Sequence, residues 1–123
     1  MRLTNKGFTL LELLVAIGIL GILVALAIPQ FAAYRRRGFV AAVKSDLKNA
    51  SIVQEAYFTE TGTYTVSLPI LLSNGFRQSN NVVMNITLVG NGYNFSATHA
   101  SCGADTWSYS GAGSIVDPPT PCQ

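Results

Sequence analysis

Between Phe8 and Ile28 the sequence runs for 21 residues with a single charged side chain, Glu12. As a helix at 1.5 Å per residue, that run extends about 31 Å, enough to cross the hydrocarbon core of a bilayer. A short basic start, Arg2 and Lys6, precedes it, as in a secretory signal. The apolar run is nevertheless longer than the roughly 7–15 residues of a signal core, and no small-x-small cleavage site follows it. A carboxylate inside such a helix costs about 2.5–3.5 kcal/mol on insertion, and the span holds no lysine, arginine or histidine to meet it. A partner from another chain is therefore expected. Cleavage after Gly7 would supply one, a new α-amino group on Phe8, four residues from Glu12.

The string Lys6-Gly7-Phe8-Thr9-Leu10-Leu11-Glu12 resembles the class III signal of type IV prepilins. The resemblance continues through Pro29-Gln30-Phe31, where that family carries a helix-bending proline. It implies a membrane aspartyl peptidase that cuts between Gly7 and Phe8 on the cytoplasmic side and N-methylates Phe8. It also implies that Glu12 acts in assembly and that the stretch Gly21–Pro29 can unwind when the subunit leaves the bilayer. Physical chemistry is compatible with a weak point there. Gly18 and Gly21 each cost about 1 kcal/mol of helix relative to alanine, and Pro29 removes a backbone donor.

Composition outside this segment is ordinary, so the overall figures, 49% hydrophobic and 11% charged, average an apolar helix with a small polar head. Removing Met1–Gly7 takes Arg2 and Lys6 from the eight basic side chains and leaves six against six acidic ones. A neutral mature chain gives no reason to expect nucleic acid as a partner. Arg35, Arg36 and Arg37 form the one basic cluster, read as a solvated or headgroup-facing collar. By charge bias alone, three arginines after the span against two basic residues before it would put the head in the cytoplasm. The cysteines argue the opposite. Cys102 and Cys122 are the only two and lack any CxxC spacing, so in an exported domain they read as a disulfide.

The expected fold is α+β and pilin-like: a long N-terminal helix, apolar then amphipathic, packed on three or four antiparallel strands. Its parts are a cleaved leader over 1–7, an apolar helix over 8–30, an amphipathic helix over 31–61, and a connector and sheet over 62–123. Val40, Val43, Leu47, Ala50, Val53 and Tyr57 recur at three- and four-residue steps, with Lys44, Lys48, Gln54 and Glu55 mostly off that stripe. The helix should end near Thr61-Gly62, and a short turn of helix is expected around 68–72. Period-two alternation then marks strands: Val82, Met84, Ile86 and Leu88 facing one way, then Tyr93, Phe95 and Ala97, then Trp107 and Tyr109, with a short edge at Ile115-Val116. The proline-rich run from Asp117 to Pro121 cannot continue a central strand and is expected as a loop pinned by Cys122.

No catalytic constellation, metal site or cofactor motif is evident. His99 is expected to be structural, and the head has too few acids for a calcium cage. The resemblance implies a pilus subunit that polymerises with itself as a helical filament. Its partners would be the prepilin peptidase and N-methyltransferase and the inner-membrane assembly machinery. Its location would be the inner membrane as precursor and an extracellular fimbrium afterwards, with adhesion, motility, DNA uptake and electron transfer all open as its service. A pseudopilin of a type II secretion system and a membrane-anchored binding module that never polymerises are the alternatives.

Overall fold

A computed structural model describes residues 7–122, so the leader residues 1–6 of the expected cleavage signal lie outside the described residues. The chain divides into two compact units, 1–34 and 35–123. One helix, α1 (Leu10–Thr61), contributes to both and carries Pro29 within it. The two helical segments expected on either side of Pro29 are therefore one continuous element. In the first unit the large apolar side chains from Leu10 to Tyr34 are all exposed.

In the second unit, α1 ends where glycine takes over. Gly62 adopts φ +76° and its N–H donates to the Phe58 carbonyl at 2.8 Å, the left-handed closure that glycine enters without steric cost. A connector follows, containing the short helix α2 (Leu68–Ser73), with Pro69 in the first turn, where a missing N–H costs nothing. Four strands complete the unit: β1 (Val82–Val89), β2 (Gly92–His99), β3 (Thr106–Ser110) and β4 (Ile115–Val116). They form an antiparallel meander in the order β1-β2-β3-β4. The β1–β2 hairpin pairs Val89 with Gly92, leaving a two-residue loop in which Gly90 takes the positive φ (+58°) that such a turn needs.

Alternation along the strands decides which face meets the helix. Val82, Met84 and Ile86 of β1, Tyr93, Phe95 and Ala97 of β2, and Trp107 of β3 are buried together with Val43, Leu47 and Ala50 of α1. Burying a side chain of the size of Leu47 or Phe95 stabilises by about 1.5–3 kcal/mol. Leu88 breaks the pattern at 51% exposed: it lies on the edge strand β1, while Tyr93, its partner across the hairpin, is buried on β2.

Polar side chains on α1 hold the connector. The buried Asp46 carboxylate accepts from the Ser79 N–H at 2.7 Å and from its hydroxyl at 2.8 Å. Gln54, expected off the core stripe, is fully buried and donates through Nε2 to the Thr65 carbonyl at 2.8 Å. The reason is that the connector passes over this part of the helix and needs its backbone carbonyl satisfied away from water. His99 is buried and stacks on Phe39 with centroids 4.5 Å apart, while its Nδ1 accepts from the Ser101 N–H at 3.0 Å. The tail is tied at three points. Lys44 pairs with Asp117 at 2.8 Å, Cys122 N–H donates to Asp105 at 2.6 Å, and Cys102 and Cys122 are bridged.

An aromatic run crosses the helix–sheet junction from Phe58 to Tyr64, Tyr93 and Phe95, with successive centroids 4.4, 4.9 and 4.9 Å apart. The Tyr64 hydroxyl donates to the Glu55 carboxylate at 3.3 Å. Burial, reinforced by the same Glu55, pushes the Tyr93 phenol above the usual tyrosine range. It thus stays neutral in the fold at a pH where the unfolded chain, titrating near 10, has already ionised.

Two outcomes follow. Replacing Cys122 with serine should destabilise the head by about 3 kcal/mol, the value expected for opening a loop of this size, as measured by denaturant titration. The Tyr93 contribution is level below pH ~10 and is lost as the pH rises above it. Melting temperatures followed by circular dichroism should fall from pH 10 upward, and less steeply in Tyr93→Phe.

Candidate functional site

The start of α1 is built by two side chains. Thr9 precedes the first helical residue, and its carbonyl accepts from the Leu13 N–H at 3.2 Å, which makes it the N-cap. Its hydroxyl accepts from the Glu12 N–H at 3.2 Å. Glu12 reaches back in return: its Oε2 accepts from both the Thr9 N–H and the Thr9 hydroxyl, each at 2.9 Å. This reciprocal pair is a capping box, and it satisfies donors that a helix start otherwise leaves orphaned.

The span offers Glu12 no cation, as the sequence implies, but Thr9 supplies two hydrogen-bond donors. The reason is positional: Glu12 occupies the third helical position, the one from which a glutamate can reach the cap. Threonine followed three residues later by glutamate, ahead of an apolar run, is the sequence signature of this box, so Thr9 could have been found without coordinates. All the hydrogen bonds to the carboxylate fall on Oε2. Among the described residues no hydrogen bond and no cation reaches Oε1. Among the described residues the charge is therefore oriented but not neutralised.

The large side chains that follow along the helix are apolar and exposed. Phe8 is 84% exposed, and Gly7, Phe8 and Thr9 lie in irregular backbone ahead of the helix. From Leu10 to Ile28 the large apolar residues point outward around the whole circumference, which in water a helix does not sustain. Within α1 lies a stretch long and apolar enough to cross a membrane. A Cβ added at Gly18 or Gly21 would meet nothing within 4 Å, so nothing inside the chain requires glycine there. Residues 21–29, the stretch expected to unwind, are helical. The two cysteines, the remaining residues singled out from the sequence, are together in the head as a disulfide.

Residues 2–28 match the family model described as a prokaryotic N-terminal methylation motif. Over 104 residues the chain is 36% identical to the type IV wide pilus major component PilA4 of Thermus thermophilus, covering 83% of this chain and 78% of that protein. It is 39% identical over 61 residues to the type IV major pilin protein PilA of Myxococcus xanthus, covering 50% of this chain and 28% of that protein. With the type IV major fimbrial protein FimA of Dichelobacter nodosus it shares 48% identity over 46 residues, 37% of this chain and 30% of that one.

Replacing Thr9 with alanine should cost the helix start about 1 kcal/mol. In detergent micelles, the amides of residues 10–13 should then exchange roughly five-fold faster, with exchange in the head unchanged.

Proposed function

The chain belongs to the type IV pilin family, and from that premise we propose that it is a structural subunit of a type IV pilus, cut between Gly7 and Phe8, methylated on the new Phe8 amine and polymerised through its apolar helix. The observation that carries this reading is the Glu12 carboxylate, held by Thr9 through Oε2 and with no partner on Oε1 among the described residues, on a helix whose apolar side chains are exposed around its whole circumference.

The mechanism starts in the inner membrane, with the leader in the cytoplasm and the head outside. The disulfide supports that side for the head, since such bonds persist in oxidising compartments. The Gly7–Phe8 bond lies in exposed, non-helical backbone, the form in which a peptidase can extend a chain through its site. Cleavage leaves the Phe8–Thr9 amide intact, so the Thr9 N–H continues to hold Glu12 Oε2. Oε1 of an incoming subunit then accepts from the Phe8 amine of a neighbour already in the filament. Two charges that are costly in an apolar medium neutralise each other, and the pairing fixes the axial register. The apolar helices bundle within the filament, replacing lipid by one another. The contact joins two different patches of the subunit, so it is heterologous and generates an open helical polymer. Assembly machinery of the inner membrane would supply the extraction work. The stretch from Gly21 to Pro29 is where the helix has least to lose by unwinding on the way out.

A pilus subunit is favoured over a pseudopilin by the relatives, whose names describe major pilins and a major fimbrial protein.

Mass spectrometry of sheared surface material should find a mature chain that begins at N-methylated Phe8. An intact Met1 confined to membranes would overturn the processing step and the filament with it. Glu12→Ala should remain a processed, stable membrane protein but lose at least ten-fold in filament yield. Normal yield without wild-type subunits would sink the pairing between Glu12 and Phe8.

A further inference from the structure

The acids of the head are almost all engaged within the chain. Asp46 binds Ser79, Glu55 binds Tyr64, Asp105 takes the Cys122 N–H and Asp117 pairs with Lys44. Glu60 is the exception. It is exposed, and no hydrogen bond or ion pair reaches it among the described residues. It also stands in the last turn of α1, which contains no basic residue. Carboxylates at that end of a helix oppose the backbone dipole by about 0.3–1 kcal/mol, so within one chain the position is unfavourable and uncompensated.

At the other end of the helical part of the same unit lies the collar Arg35–Arg37, exposed on α1. The Arg35 guanidinium lies 5.7 Å from the Phe39 ring centroid, a contact that leaves its charge in place, and among the described residues Arg36 forms no ion pair. Arg36 lies in line with the stripe Val43, Leu47, Ala50 and Gln54, but the sheet does not cover that far, and the guanidinium stays open to a neighbour. Twenty-four residues of continuous helix separate Arg36 from Glu60, about 36 Å at 1.5 Å per residue.

We propose that Glu60 of one subunit forms an ion pair with the Arg35–Arg36 collar of another copy displaced by about 36 Å along the filament. The proposal rests on the filament reading above and deepens it by naming a second contact between copies. Parallel copies stacked along one axis bring the acidic end of one head helix to the basic end of the next. The displacement differs from that of the Phe8–Glu12 pairing, whose two groups lie only four residues apart at the start of the chain's helix. The two ion pairs therefore join a subunit to different neighbours. One is seated in the apolar interior and the other lies at the level of the heads, where salt can screen it.

Charge reversal tests the contact. Arg36→Glu and Glu60→Arg should each lower filament yield at least ten-fold, with membrane level and N-terminal processing unchanged. The double reversal should restore yield to within about three-fold of wild type, which a merely structural role at either site would not produce. With both native cysteines already bridged, a short bis-maleimide should link Arg36→Cys/Glu60→Cys subunits into ladders and leave either single cysteine variant as monomer. Unchanged yield from either reversal, a double variant no better than the worse single, or cross-linking of Glu60→Cys to Lys48→Cys in place of Arg36→Cys would overturn the contact. Loss of the Arg36→Glu precursor from the membrane would also overturn it and assign the collar to lipid headgroups. Those results, obtained beside normal wild-type filaments, leave the pilus reading intact; absence of filaments from the wild type would remove both.

Discussion

From Leu10 to Tyr34 the helix presents apolar side chains in every direction, and among the described residues nothing covers them. At about 25 cal/mol for each Å² exposed to water, a segment of this composition is not viable as a solvated element, so its surroundings must be lipid or other copies of itself. That requirement governs the rest of the design. It sets the cost of the Glu12 charge, and it frees the head from providing a core large enough to bury a long helix. The head needs only one stripe of α1, and there it spends polar side chains as well as apolar ones.

Those polar side chains explain how a small sheet keeps a long connector in place. Asp46 and Gln54 project from the same helix face as Leu47 and Ala50, and each closes onto backbone or side chain of the segment between Gly62 and Asn81. Breaking either bond would leave a buried carboxylate or amide without its partner, which costs more than the bond itself contributes. The tail is handled in the same way, with an ion pair, a backbone bond and a disulfide distributed between Asp117 and Cys122. Few of these contacts are local in sequence, so the head is stapled across itself rather than stabilised element by element.

What could be read from the sequence divides along that same line. The strands were visible because inward and outward residues alternate, as in Val82, Met84 and Ile86 or Tyr93, Phe95 and Ala97, and alternation is a local property. The end of α1 was visible because Gly62 follows the last turn. The burial of Gln54 was not, since periodicity assigns polar residues outward unless something distant covers them, and Thr65 lies beyond the helix. Asp46 was hidden for the same reason, its partner Ser79 being 33 residues away. Leu88 was placed inward by a rule that ignores where the helix cover ends. Thr9 differs from these cases: its cap signal, a threonine three residues ahead of Glu12, is local and stands in the sequence.

Trp107, the single tryptophan of the chain, is fully buried in β3, and the apolar segment from Phe8 to Ile28 has no indole at all. Intrinsic fluorescence excited at the indole band therefore reports on the head alone. Its emission should stay blue-shifted for as long as the sheet remains packed on α1, whether the subunit is in a bilayer, a micelle or a fibre. The molecule thus carries its own optical label, native and uniquely placed, for separating events in the head from events along the apolar helix.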